Sequence, residues 1–120
     1  ANRFYRRYQR GAKVNRQHQV WVGKESEQII CSLCLQPVAD GYWLTSLLVD
    51  PARRHRGYAN ALLTTIRHHY TGPIWLFCSP SLVPLYTGAG FDLACDLPES
   101  LADRLLRYQR HKELVPLVSC

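Results

Sequence analysis

Leu48-Val49-Asp50-Pro51-Ala52-Arg53-Arg54-His55-Arg56-Gly57-Tyr58-Ala59-Asn60-Ala61-Leu62-Leu63 carries an apolar strand into a turn, then a basic, glycine-containing loop that opens directly into an amphipathic helix. The first backbone N–H groups of a helix have no intrahelical partner, and the helix dipole makes that end positive. A loop of this build holds an anion, and phosphate is the anion it suits best. Ala59, Leu62, Leu63, Ile66 and Tyr70 recur at three-and-four spacing, which predicts a helix from about Gly57 to Tyr70. Tyr42 to Val49 is the strand that feeds it.

Upstream of that strand, Gln28 to Val38 is long and rich in apolar and β-branched residues, and Gln19 to Gly23 is a shorter run of the same kind. Lys24–Glu27 and Ala39-Asp40-Gly41 are turn signals between them, so the first half reads as an antiparallel meander. Residues 2–9 are expected to form a short helix with Phe4 and Tyr8 on one side, followed by a polar loop at 11–17. Downstream, Ile74 to Cys78 is a continuous apolar run, the pattern of a central strand covered on both faces. Ser79-Pro80 starts a second helix, with Ser79 as its expected cap, closing at Gly88-Ala89-Gly90. Phe91 to Cys95 reads as a strand. Asp96-Leu97-Pro98-Glu99 is a helix-start signature for a third helix to about Lys112, and Leu114 to Val118 is a closing strand.

With 120 residues the chain is long enough for one domain with a substantial core. Hydrophobic residues are 47% and charged ones 20%, which excludes a disordered chain. No apolar run approaches the roughly 20 residues that span a bilayer, and the first residues lack the apolar core of a signal peptide. A cytoplasmic protein without a membrane partner is expected. The net charge of +6 is concentrated at Arg3, Arg6, Arg7, Arg10, Lys13 and Arg16, and at Arg53, Arg54, His55 and Arg56. Such clusters attract polyanions or phosphorylated cofactors. No RNA-binding signature accompanies the first cluster, so nucleic acid is not the expected partner. Cys31, Cys34, Cys78, Cys95 and Cys120 lack the regular spacing of a disulfide framework. Cys31 and Cys34 have the CxxC form, but residues three apart on a strand point to opposite faces, so free thiols are expected and no metal.

The GxGxxG and GxxxxGK[ST] loops are absent, which leaves dinucleotides and P-loop nucleotides without support. Arg54-His55-Arg56-Gly57-Tyr58-Ala59 resembles the R/Q-x-x-G-x-G/A signature of the GCN5-related N-acetyltransferase (GNAT) family. Leu85-Tyr86-Thr87-Gly88-Ala89-Gly90-Phe91 is similar to that family's second landmark, a Tyr followed after three positions by Gly-Phe. The resemblance covers about Val20 to Phe91.

The resemblance implies an α/β fold of the α+β type: one GNAT-like acyl-CoA N-acyltransferase domain over residues 1–120, its mixed sheet of six to seven strands flanked by helices. It also implies acetyl-CoA as acyl donor and a small-molecule or peptide amine as acceptor. The pyrophosphate falls to Arg54, His55, Arg56, Gly57, Tyr58 and Ala59, and the pantetheine arm to the backbone of Leu47, Leu48 and Val49. Near the last two, a backbone N–H is the candidate donor to the developing oxyanion. Tyr86 is the candidate general acid for the departing thiolate. No general base stands out: Asp50 is expected to fix its turn, Asp40 and Glu27 to be solvated, and His68 and His69 to sit at a helix end that favours them. Cys78, at the end of its strand, is expected at the cleft without forming an acyl-enzyme. One short basic segment stands where relatives often have two helices that shape the acceptor pocket, and a homodimer is one way to complete that pocket. Like charge disfavours a polycationic acceptor, whereas an amine carrying a carboxylate suits the basic surroundings. The residues also admit an acyl-CoA-sensing module without turnover, and an RNA-associated protein using the N-terminal arginines.

Overall fold

The computed structural model describes residues 5–10, 19–25, 28–54 and 57–120. Seven strands form one mixed sheet: β1 (Tyr5–Arg10), β2 (Gln19–Glu25), β3 (Gln28–Val38), β4 (Gly41–Val49), β5 (Ile74–Cys78), β6 (Asp92–Leu93) and β7 (Val115–Ser119). Their order across the sheet is β1-β2-β3-β4-β5-β7-β6. Among the described residues the α-helices are α1 (Tyr58–His69), α2 (Val83–Gly88) and α3 (Glu99–Tyr108). Strands β2, β3 and β4 make the expected antiparallel meander, with β1 added at its edge, and α1 then crosses over to place β5 parallel to β4.

The expected N-terminal helix is instead strand β1, paired residue for residue with β2. Phe4 and Tyr8 are spaced like a helical stripe, but so short a run does not fix its own period, and β2 offers a whole edge of backbone partners. The loop expected at 11–17 lies outside the described residues. The strand expected at Phe91–Cys95 is reduced to Asp92–Leu93. The next position along β7 is Pro116, which accepts from the Ala94 N–H at 3.0 Å but has no N–H to return. Helix α3 ends at Tyr108 rather than Lys112, its chain tightening through bonds from Arg110 N–H to the Arg107 carbonyl and from His111 N–H to the Tyr108 carbonyl. No side chain caps its start.

The two faces of the sheet are covered separately. On one, Leu62, Leu63 and Ile66 of α1, each fully buried, pack with Leu33, Leu35, Leu44, Leu76 and Phe91. Burial of each such side chain is worth about 1.5–3 kcal/mol. On the other, Leu101 of α3 packs on Trp43 and Trp75, with Arg104 stacked 4.4 Å from the Trp43 ring centroid. Strand β5 is covered on both sides, as its unbroken apolar run requires: Ile74, Leu76 and Cys78 face α1, and Trp75 faces α3.

Two bulges shape the middle of the sheet. Between the pairs Ser32↔Leu48 and Cys34↔Thr45, β4 has two residues opposite Leu33 alone, and Ser46 takes a left-handed φ of 60°. In β3, Ile30 is the extra residue between the pairs Lys24↔Ile29 and Gly23↔Cys31. A bulge bends its strand and leaves the extra residue out of the ladder. Strand β4 pairs with β5 only at Tyr42↔Ile74 and Trp43↔Trp75. Beyond Trp43 the two strands no longer pair, and a cleft opens between the end of β4 and the residues that follow β5.

Candidate active site

The cleft has a volume of about 590 Å³ and is lined by Leu47, Leu48 and Val49 of β4, by Arg54, by Gly57 to Asn60 at the start of α1, and by Ser81, Leu82, Leu85 and Tyr86. Every sequence-predicted site residue that the structure describes is therefore on one cleft. His55 and Arg56 lie outside the described residues.

Gly57 precedes α1 with φ 84°, a conformation L side chains rarely adopt, and nothing lies within 4 Å of where a Cβ would stand. The helix start is thus open from the cleft side, with its first N–H groups uncapped by any side chain. Asp50 Oδ1 accepts the Ala52 N–H at 3.0 Å, so this carboxylate holds the turn into the loop, as expected of it. Arg54 folds back along the strand, its Nε–H donating to the Val49 carbonyl at 3.4 Å.

Tyr86 is 6% exposed, its ring edge-on to the fully buried Phe91 at 6.0 Å. Burial pushes its phenol up to about 12, and the neighbouring Cys78 adds to the rise. The phenol therefore stays protonated, the form needed to donate. Gly90 has φ 104°, and the Arg67 guanidinium occupies the space a Cβ would take while donating to the Ala89 carbonyl at 3.0 Å. The Gly-Phe pair that closes the second landmark is accordingly a packing device that seats Tyr86.

Cys78 is buried beneath this site and its thiol is pushed up by burial, which makes it a poor nucleophile. Cys31 is buried and raised to about 11, and Cys34 is half-buried and also raised. His68 and His69 fall in the last turn of α1, and His69 stacks edge-on to Trp21 at 5.0 Å. Ser79 does not cap the following helical turn; its hydroxyl is 3.2 Å from that of Ser81 instead.

Asn60 and Leu82 line the cleft without having been singled out from the sequence. Asn60 stands three positions after Gly57, facing the cleft while its Nδ2–H donates to the Gly88 carbonyl at 3.3 Å, tying α1 to α2. Leu82 is 44% exposed, an apolar side chain left on the cleft wall.

The sequence from residue 16 to 93 matches the family model of the acetyltransferase (GNAT) domain. The chain belongs to the GNAT acetyltransferase family. The GNAT domain takes acetyl-CoA as its acyl donor. The fold matches a GNAT family acetyltransferase of Elizabethkingia anophelis with acetyl-CoA bound, at TM-score 0.74 and 9% identity over 99% of each chain. It also matches the N-acetylglutamate synthase of Neisseria gonorrhoeae, complexed with coenzyme A and N-acetyl-glutamate, at TM-score 0.66 and 19% identity. That match covers 87% of this chain but 25% of the synthase, so the chain spans a quarter of its length. The ribosomal-protein-S18-alanine N-acetyltransferase of Escherichia coli matches at TM-score 0.63 and 14% identity, over 88% of this chain and 70% of that one. At these identities the likeness is one of fold. No protein among the curated ones matches the sequence significantly. Among the described residues no helix is long and apolar enough to cross a membrane.

Proposed function

We propose that residues 1–120 act as a single N-acetyltransferase domain, moving an acetyl group from acetyl-CoA to a primary amine within a ternary complex. The observation that carries this reading is the single cleft shared by Leu47–Val49, Gly57–Ala59 and Tyr86. The residues fit the donor: an open, positively polarised helix start for the pyrophosphate, an apolar strand edge for the pantetheine arm, and a buried phenol at the far wall. When bound, acetyl-CoA supplies an activated thioester, whose C–S bond breaks as the amine forms a C–N bond to the same carbon.

The chain's residues would contribute three things. The edge of β4 orients the arm, and a backbone N–H at Leu48 or Val49, just past the bulge at Ser46, donates to the carbonyl oxygen as charge gathers there. Tyr86 donates a proton toward the departing sulfur, so the products are the amide and a free thiol. The amine's own proton passes to solvent, since no described side chain of the cleft is a carboxylate or an imidazole. The high thiol pKa values argue against a covalent acyl-cysteine and for direct attack. Five free cysteines suit a reducing, cytoplasmic setting.

Thermal stabilisation by acetyl-CoA, followed by thiol release with a panel of amines, tests this. Saturation to 100 times Kd should stabilise the fold by about 2.7 kcal/mol. No shift at millimolar acetyl-CoA sinks the proposal, and a shift with no thiol released by any amine would point to the sensing module instead.

A further inference from the structure

Helix α2, which carries Tyr86, is six residues long, and no side chain caps its start. A helix of that length does not persist on its own, so its neighbours must hold it. The last carbonyls of a helix have no intrahelical partner, and here each of them can be accounted for. The turn itself meets two: the Tyr86 carbonyl accepts the Ala89 and Phe91 N–H groups, each at 3.0 Å, and the Thr87 carbonyl accepts the Gly90 N–H at 3.1 Å. The next two, those of Gly88 and Ala89, are met by side chains of α1.

Asn60, Thr64 and Arg67 are spaced four and three apart, which puts them on one stripe of α1. Asn60 donates to the Gly88 carbonyl, and Thr64 Oγ1–H donates to Asn60 Oδ1 at 3.4 Å, which leaves the amide Nδ2 for that bond. Arg67 does more. Its Nη1–H donates to the Ala89 carbonyl at 3.0 Å, while its Nε–H donates at 2.6 Å to the hydroxyl of the buried Ser119 on β7. One half-buried guanidinium therefore joins α1, β7 and the turn after α2. Gly90 closes on that group with no Cβ to displace it. Asn60 lines the cleft, whereas Arg67 does not.

We propose that Arg67 is a positioning residue for Tyr86: by gripping the Ala89 carbonyl from β7 it holds the phenol within reach of the departing sulfur. This rests on the reading of Tyr86 as proton donor. Tyr86 stands three residues before Ala89 in a single short helix, so a shift of that carbonyl carries the phenol with it. A proton crosses only a short, aligned gap, whereas a cofactor held along β4 and at Gly57 tolerates the same shift.

The test measures kcat by thiol release and acetyl-CoA Kd by calorimetry for Arg67→Ala, Arg67→Lys and Ser119→Ala, each alone and combined with Tyr86→Phe. Arg67→Ala should lower kcat by about 10-fold or more, with Kd held within about 2-fold. Arg67→Lys should lose less, because one ammonium can meet the Ala89 carbonyl but cannot fork to Ser119 as well. Ser119→Ala, which leaves the Ala89 bond in place, should lose least. With Tyr86→Phe as the parent, each change should lower kcat by less than about 2-fold, since no phenol proton remains to be aimed. Equal falls in both parents make Arg67 a residue of the fold alone and overturn the proposal, as does an unchanged kcat in Arg67→Ala. Should a melting curve show Arg67→Ala unfolded, Arg67→Lys and Ser119→Ala decide by the same comparison. If Tyr86→Phe turns over as fast as the parent, it is the proton-donor reading that falls, and the role of Arg67 falls with it.

Discussion

Strand β4 has two unlike faces at its cleft end. On the α1 side, Leu47 and Val49 lean on a packed core, and the cleft wall beyond them is built from helix starts and a buried Tyr86. On the other side, Leu48 stands 66% exposed beside Ile29, with Arg54 at the rim. The first face is shaped by residues whose positions folding already fixes. The second keeps apolar side chains in water and a cation without a described acid partner. One strand presents two such different surfaces because its side chains alternate from face to face.

The comparison can be broken first at the donor face. Gly57→Val places a β-branched residue at φ 84° and fills the open space before α1. Acetyl-CoA affinity should fall more than about 100-fold by calorimetry, and stability by roughly 1–3 kcal/mol. Retained affinity would mean that the helix start does not hold the phosphates.

Tyr86→Phe keeps the packing on Phe91 and removes only the donor. Turnover should drop about 100-fold in a thiol-release assay, within the range of general acid catalysis, with acetyl-CoA Kd held within about 2-fold. Equal loss in Kd and turnover would make the hydroxyl a binding group instead.

The same residue gives a pH signature. Its phenol titrates near 12 in the fold and at about 10 when unfolded. The unfolded chain therefore loses this proton first, and stability present below pH 10 is lost as the pH rises toward 12. The loss should amount to roughly 2–3 kcal/mol in denaturant melts and be absent from Tyr86→Phe. Between pH 6 and 10, the acceptor's amine and not Tyr86 should set the rising limb of kcat/KM. A descending limb below pH 10 that vanishes in Tyr86→Phe would contradict this assignment.

The smallest effect belongs to the turn joining the two faces. Asp50→Ala removes the bond to the Ala52 N–H and should cost about 1 kcal/mol by thermal melting, whereas Asp50→Asn should retain most of it. A larger loss of turnover than of stability in Asp50→Ala would give this carboxylate a chemical role as well.

Much of this architecture was legible before any coordinates. Helix α1, β3 and β5 followed from periods long enough to be unambiguous, and the two landmarks pointed to the same cleft that the fold assembles. The errors fell where local pattern is weakest. Segment 5–10 carries a helical spacing yet pairs as an edge strand, because β2 supplies partners no local propensity can match. Ser79 has a capping residue's chemistry, but Ser81 takes its hydroxyl. Strand β6 stops at Leu93 because of a proline on a different strand.

By itself the sequence determined the anion loop, the amphipathic stripe of α1, the apolar centre at β5 and the family to which the chain belongs. Each of these depends on neighbours within a few turns or a single motif. Only the tertiary structure decided that β4 and β5 stop pairing after Trp43, that Tyr86 lies buried near Cys78, and that Ile29 and Leu48 line one hollow. Those facts depend on where two bulges fall in the registers of three strands. Register is fixed by the summed pairing and burial of residues far apart in the chain, so no local stretch encodes it alone.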